Sequence, residues 1–549
     1  MTASQTGSAR RRLALGSVLA SAAMLALYSR VEAPWFVLGL VAFVPWILAI
    51  DRAASIREAA ALGAVMSAAF VAAVFPWFPA AAQRYTQGSP VLLWIVLIVA
   101  APILEPQLVV FAVVRHVVRR APGPRPALRA AIAGAFAYVA AELLVPKLFF
   151  DTLGLGLHPA RTLRQAADLA GVHGLTWMLI LCNEAVCAAL TGARSASPRR
   201  RFAPLAGAMV MLLAAAGYGH LRAAQIEARS TGPGHVVGIV QANITNYDKL
   251  RAEKGAFETV RFVLESHVSL SDALRERAGA DVIIWPETVY PTTFGAPRSE
   301  AGAELDAQIA ASAGVPLVFG AFEAEGDREY NAAFFLDAGT GWPRAFTAYR
   351  KRMLFPLTEW VPETIDSESL RRTLPWLGHW TRGPGPKVVP LALRGGERVS
   401  VLPLICYDVL FPDLVGEGAA LGADWIITLS NDAWFPDARA PRLHLISAAF
   451  RSIETRLPQA RATNSGISAI ISPTGDITAR TGWDERAALA GRMTTAGRTI
   501  TLAVAIGPWR APLAALATLL IVLDAIRRGL RPGDGPARTR ESARNKRAG

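Results

Sequence analysis

A cysteine, a glutamate and a lysine in this 549-residue chain stand in settings that could build a nucleophile. Cys406 ends the apolar run Val401-Leu-Pro-Leu-Ile-Cys406 and is followed by Tyr407 and Asp408. Glu287 ends Asp281-Val-Ile-Ile-Trp-Pro-Glu287, and Lys351 lies in Tyr349-Arg-Lys-Arg-Met353. A thiol is mostly protonated at neutral pH and attacks a carbonyl only with help from a base or a cation. Glu287 can take the proton and Lys351 can supply the charge. Taken singly, the cysteine reads as packed core and the lysine as solvated surface. Their occurrence in order, each in or beside an apolar run, is what points to a triad.

Apolar, β-like runs must position them. In α/β folds the strand ends converge on one rim, so three distant segments can meet in one pocket. Further runs of this kind are Val236-Val-Gly-Ile-Val-Gln-Ala-Asn243, Asp424-Trp-Ile-Ile-Thr-Leu-Ser-Asn-Asp-Ala-Trp-Phe435 and Ala460-Arg-Ala-Thr-Asn-Ser-Gly-Ile-Ser-Ala469. Together these segments, over about residues 235 to 495, resemble the nitrilase superfamily. The resemblance implies an αββα sandwich with Glu287 as general base and acid, Lys351 stabilising an oxyanion and Cys406 as nucleophile. It also implies supporting roles for Glu359, as a second carboxylate beside Lys351, and for Tyr407, as a residue shaping the site. For Glu359 a place in a surface loop stays open.

The rest of the chain is too apolar for a soluble enzyme: hydrophobic residues make up 52% and mean hydropathy is +0.31. Windows long enough to cross about 30 Å of hydrocarbon lie near 13–29, 33–50, 57–79, 90–114, 128–148, 166–192 and 203–221, with an eighth near 502–524. The expected architecture is therefore an α-helical membrane region of about eight spans plus the nitrilase-like α/β domain. Its parts are residues 1–224 with seven spans, a catalytic domain at 225–498, a last span within 499–526, and a basic, disordered tail at 527–549.

Arginines gather in alternate loops: Arg10 to Arg12, Arg52 and Arg57, Arg115 to Arg125, and Arg199 to Arg201. By the positive-inside rule both termini are cytoplasmic and the catalytic domain lies outside, on the periplasmic side of a bacterial inner membrane. The first apolar stretch is expected to remain as an anchor. The net charge of +14 sits largely beside the membrane, where anionic headgroups account for it without nucleic acid. Cys182 and Cys187 fall within the sixth span, so no disulfide is expected, and no motif calls for a metal or other cofactor. Glu105, Glu142 and Glu184 are candidate intramembrane acids, and Trp77 is expected in an interfacial aromatic belt.

Eight spans around an extracytoplasmic nitrilase domain resemble the apolipoprotein N-acyltransferases. So does Leu163-Arg-Gln-Ala-Ala-Asp-Leu-Ala-Gly-Val-His-Gly-Leu-Thr-Trp177 with Asn183, as do His444-Leu445, Arg456 and Arg461-Ala-Thr-Asn-Ser-Gly466. The resemblance implies a monomer that moves an acyl chain from a phospholipid, through a Cys406 thioester, to diacylglyceryl-modified apolipoproteins. Leu250, Leu357-Thr358 and Asp408 depart from the pattern, which carries Trp, Phe-Gly and Glu there. Two alternatives remain open from sequence: a membrane-tethered amidase and a non-catalytic lipid- or partner-binding protein.

Overall fold

The computed structural model describes residues 3–149, 151–192, 197–230, 232, 234–245, 247–290, 293–294, 314–336, 347–494 and 497–530. Among the described residues ten α-helices precede the first strand: α1 (Ala3–Tyr28), α2 (Val44–Asp51), α3 (Ile56–Val74), α4 (Phe78–Thr86), α5 (Pro90–Leu104), α6 (Pro106–Arg120), α7 (Pro126–Leu144), α8 (Arg161–Arg164), α9 (Ala167–Thr191) and α10 (Pro198–Arg229). Among the described residues six helices are long and apolar enough to cross a membrane, within α1, α3, α7, α9, α10 and the closing segment Gly507–Leu530.

The other two expected spans take different forms. The 90–114 window is a bent pair, α5 and α6, with 46° between them. Pro106 opens α6, and a proline there removes an N–H and crowds the preceding turn, so one straight helix cannot form. The 33–50 window is a 3-10 segment (Trp35–Leu40) followed by the eight-residue α2, broken between Pro34 and Pro45. Its rings are core: Phe43 and Trp46 are buried and pack against Tyr138 and Phe111. Outer residues such as Val91, Ile95, Val99 and Ile103 on α5 stay exposed at one-turn spacing, as a helix facing lipid should. α10 continues to Arg229, past residue 224, and Arg527 and Arg528 are still helical, while 531–549 lie outside the described residues.

The intramembrane acids all have partners. Arg115 donates to Glu184 at 2.5 Å and to Asp51 at 2.6 Å, tying α6 to α9 and α2. Lys147 lies 3.0 Å from Glu105, and Thr152 donates to Glu142 at 2.8 Å. Buried charges are tolerated when paired: Glu184 ties α9 to α6 through Arg115, Glu105 holds Lys147 in the segment after α7, and Glu142 takes the neutral Thr152 hydroxyl.

The α/β part begins directly after α10. Its strands are β1 (His235–Gln241), β2 (Val282–Ile284), β3 (Thr293–Phe294), β4 (Leu317–Glu325), β5 (Arg328–Leu336), β6 (Thr347–Arg350), β7 (Val389–Ala392), β8 (Arg398–Ile405), β9 (Trp425–Ser430), β10 (Gln459–Thr463), β11 (Ala469–Ile471), β12 (Ile477–Arg480) and β13 (Ala487–Met493). One sheet runs β13-β1-β2-β4-β5-β6 with β3 on β4, and the other runs β12-β11-β10-β9-β8-β7. The inner strands β1–β2–β4 and β8–β9–β10 are parallel, and every residue of β9 is buried, as strands covered on both faces must be. Val237, Ile284, Val401, Ile427 and Ala462 fill the layer between the sheets. Helices α11 (Tyr247–Lys254), α12 (Ala256–Arg277), α13 (Pro412–Ala420) and α14 (Arg439–Thr455) accompany the sandwich, and α15 (Arg510–Leu530) closes the described chain.

The two parts share a core. Phe435, Ile446, Phe450 and Ile453 join one apolar cluster with Trp46, Phe70 and Leu179 from the membrane helices. Arg456 meets Asp168 at 2.9 Å and Arg161 meets Asp476 at 3.0 Å. α9 breaks at Ala170 and Gly171, the latter at φ +72°, a conformation open to glycine. The N–H of Val172 freed by this break donates to Glu454 of α14 at 2.7 Å. The sandwich is thus bolted to the helices rather than tethered.

Candidate active site

β8 delivers Cys406, which adopts φ +47°, a left-handed conformation disfavoured for a side chain with a Cβ. Two ties hold it there. Asp408 accepts from the N–H groups of Ile405 (3.0 Å) and Met353 (2.7 Å) and from the Tyr349 hydroxyl (2.9 Å). His444 Nε2 donates to the Cys406 carbonyl at 3.2 Å, which leaves Nδ1 to accept from Arg461 at 3.1 Å. Burial and the Arg461 charge hold His444 below the ordinary histidine value, so the ring is neutral, as this pairing requires. Asp408, shorter than the glutamate the family pattern carries, reaches all three donors. Burial raises its carboxyl to about 6.

Glu287 follows β2. Its Oε1 accepts from Asn331 at 2.8 Å and from Lys351 Nζ at 3.2 Å, and its Oε2 from the Asn431 N–H at 2.8 Å. Lys351, at the end of β6, also donates to Glu359 Oε1 at 2.6 Å. The second oxygen of Glu359 accepts from the Phe355 N–H at 2.7 Å. The structure therefore brings Glu287, Lys351 and Glu359 into one buried cluster. Burial alone would lower Lys351, but the two carboxylates outweigh it and hold the ammonium well above the ordinary lysine value. Burial lifts Glu359, partly offset by Lys351. At Cys406, burial and the Glu287 charge push the thiol up while Lys351 pulls it down. The resting sulfur is thus protonated, and a nucleophile at this position would need a base.

Tyr407 lies beside the cysteine and reaches the membrane region. Its hydroxyl donates to the Leu148 carbonyl in the segment after α7, at 2.7 Å, and its ring packs on Phe355. It ties the cysteine turn to the membrane region.

Glu287, Lys351, Glu359, Cys406 and Tyr407 all line one cavity of about 840 Å³. Its remaining wall comes largely from the membrane region, including Leu25, Phe70, Phe75, Phe78 and Phe149. Trp77 is part of it. The ring is buried against Phe75, Phe149 and Phe435 instead of standing in an interfacial belt, because the chain turns inward after α3. Leu250, by contrast, does not line the cavity.

Sequence reasoning missed Asn331, whose signal is a lone amide beside the apolar run Ala332-Ala-Phe-Phe-Leu336. It also missed Asp432, which pairs with Arg461 at 3.0 Å and receives the Ser430 hydroxyl at 2.8 Å. Cys406, Asp432 and His444 offer ligand atoms within 4.8 Å of one another, close enough to be weighed as a site for one metal ion. Asp432 and His444 are already committed to Arg461 and the cysteine carbonyl, so the set reads as support for the thiol. Against the cost of burial, Arg461 and its neighbours hold Asp432 down to about 2.

Two consequences are measurable. A Cβ at Gly320 would lie 2.6 Å from the Glu287 Cα. Gly320→Ala should displace Glu287 and cost about 10-fold or more in turnover, with a stability loss of about 1–3 kcal/mol; turnover at the wild-type rate would contradict this placement. A carboxyl lowered from its ordinary value contributes stability that is present above about pH 4 and lost as pH falls towards 2. The melting-temperature gap between wild type and Asp432→Asn should therefore narrow by the equivalent of about 2 kcal/mol from pH 6 to pH 2. A constant gap would refute the Asp432–Arg461 coupling.

Residues 236–501 match the family described as "Carbon-nitrogen hydrolase", and residues 21–185 match "Apolipoprotein N-acyltransferase N-terminal domain". With the apolar helices, these matches define a multi-pass membrane protein carrying a nitrilase-type domain. The apolipoprotein N-acyltransferase of Geobacter metallireducens is 28% identical over 474 residues, 83% of this chain and 85% of the relative. Those of Azotobacter vinelandii and Methylococcus capsulatus are 33% and 32% identical, over 62% and 65% of this chain and 62% and 66% of theirs, so these two matches span under two thirds of the relatives. An amidase from Nesterenkonia sp. aligns with 48% of this chain and 94% of its own at 19% identity and TM-score 0.34. The chain belongs to the apolipoprotein N-acyltransferase family.

Proposed function

We propose that this protein transfers a fatty acyl chain from a membrane phospholipid to the free N-terminal amino group of diacylglyceryl-cysteine on apolipoproteins. The observation that carries this reading is the cavity of about 840 Å³ that joins Cys406, Glu287 and Lys351 to apolar walls supplied by membrane helices. A small-amide hydrolase needs no such wall, whereas a lipid ester needs one that continues the bilayer.

Glu287 takes the thiol proton as Cys406 sulfur attacks the ester carbonyl. The tetrahedral oxyanion is met by the Lys351 ammonium and the N–H of Tyr407. Collapse expels the lysophospholipid alkoxide, which receives the proton from Glu287 and leaves a thioester. The acceptor's amine then attacks, Glu287 takes its proton, and the second intermediate releases thiolate, which is reprotonated as the amide forms. Glu359 acts through Lys351: two carboxylates keep the ammonium charged and aimed. Water must be kept from the thioester, and the aromatic wall of Phe75, Trp77 and Phe149 serves that end.

We assign residues 1–224 and 499–526 to the membrane region and 225–498 to the catalytic domain, which we place on the periplasmic side with both termini cytoplasmic. The contacts support this orientation. Arg10 pairs with Glu58 and Arg129 with Asp524 at the arginine-rich ends. At the other end Arg84 and Tyr85 donate to the backbone carbonyls of Phe435 and Thr358. One chain supplies every group of the site, so we take the working unit to be a monomer without a cofactor.

The test is a product assay with phospholipid and a diacylglyceryl peptide. The peptide should gain one acyl chain on its α-amino group. Fatty acid released to water without peptide acylation, or turnover of small amides alone, would favour the amidase instead.

A further inference from the structure

A second groove, of about 620 Å³, lies beside the reaction cavity. Its walls are Ser29 and Arg30 just after α1, Val74 at the end of α3, and Arg439 and Arg442 in the first turn of α14. Three arginines therefore line a space in which Asp437 is the one acidic lining residue among the described residues. Arg439 forks onto Asp437 at 2.6 and 3.0 Å, and Arg442 is held by Glu32. The Arg30 side chain is exposed and has no hydrogen bond or ion pair among the described residues. The positive end of α14 adds to the field.

The groove's depth relative to the bilayer is set by its helices. α1 and α3 end there, on the side where the sandwich sits, so its arginines stand where hydrocarbon gives way to headgroups. Its floor is apolar, from Ala26 and Ala73, and Ser29, Val74 and Leu443 belong to both groove and reaction cavity. Leu443 precedes His444, which holds the Cys406 carbonyl. A molecule with a phosphate in the groove can thus run its glycerol and acyl parts across shared walls toward the sulfur. Arginine recognises phosphate by paired, charge-assisted N–H···O bonds.

We propose that Arg30, Arg439 and Arg442 bind the phosphate of a membrane glycerophospholipid, seating the acyl donor beside the reaction cavity. That this lipid is the donor rests on the acyl-transfer reading; that the groove binds its phosphate does not.

The test uses full-length protein in detergent with the triple variant Arg30→Gln, Arg439→Gln, Arg442→Gln and its Lys counterpart. Acyl loading should need roughly 10-fold more phospholipid in the Gln variant and much less extra in the Lys variant. Transfer from an already acylated enzyme to the peptide should be unchanged, and so should loading from phosphate-free diacylglycerol. If the triple variant does not fold, Arg30→Gln alone replaces it, since that side chain has no protein partner to lose. An unchanged phospholipid requirement overturns the proposal. So does an effect confined to the peptide step, which would mark an acceptor site, or competition by inorganic phosphate as strong as by lipid, which would mark a free-anion site. If wild type shows no acyl loading, the acyl-transfer reading fails, and native mass spectrometry decides the groove. Weaker retention of phosphatidylglycerol by the Gln variant supports it, and equal retention overturns it.

Discussion

Cys406→Ala should abolish acyl loading and lower peptide acylation by at least about 10⁴-fold, because it removes the sulfur on which the thioester is proposed to form. The thiol is the only one among the described residues that faces the cavity; Cys182 and Cys187 are buried within α9. The variant should stay folded, since Asp408 and His444 hold the turn through backbone groups of Ile405, Met353 and Cys406. Intact-mass and thermal-unfolding measurements on one preparation check both halves. Residual acylation above about a hundredth of wild type would mean that the amine attacks the lipid ester directly.

Lys351→Met should be nearly as damaging, for two separable reasons. It removes the cation proposed for the oxyanion, worth about 10²–10³ in rate. It also leaves Glu287 and Glu359 facing one another without the ammonium that now touches both, at 3.2 and 2.6 Å. Breaking a buried ion pair from one side costs about 3–5 kcal/mol. Adding Glu359→Gln to Lys351→Met should therefore restore much of the stability and none of the activity. Thermal unfolding and acyl-loading rates on the single and double variants read the two effects apart. Recovery of activity together with stability would show that the lysine is only structural.

Much of this was legible in the sequence because the chemistry sits at the ends of apolar runs. Glu287 after β2, Lys351 after β6 and Cys406 after β8 each follow a strand whose residue pattern is plain, and strand ends meet on one rim. The membrane helices were legible wherever a single apolar window stayed unbroken. They were not where prolines intervene: Pro106 bends the fourth window into α5 and α6, and the second window, between Pro34 and Pro45, yields only a 3-10 segment and a short helix. Trp77 was misplaced because hydropathy gives depth, not direction; the turn after α3 points the ring at Phe149 and Phe435 rather than at headgroups. Asn331 and Asp432 escaped because their partners lie 44 and 29 residues away in sequence. Leu357 adopts φ +68° without being glycine, at the position where the family pattern carries Phe, while Thr358, where the pattern carries Gly, is not among the positive-φ residues.

On the proposed function, Cys406 carries an acyl group taken from the bilayer and hands it to an amine. The most direct test is the intact mass of wild-type protein after incubation with a phospholipid of defined acyl composition, followed by a chase with diacylglyceryl peptide. The expected result is a mass gain equal to one acyl chain, mapped to Cys406, labile to hydroxylamine, and lost on the chase as the peptide gains the same mass. A peptide that becomes acylated while the protein never carries the adduct, or an adduct that leaves only to water, would contradict it.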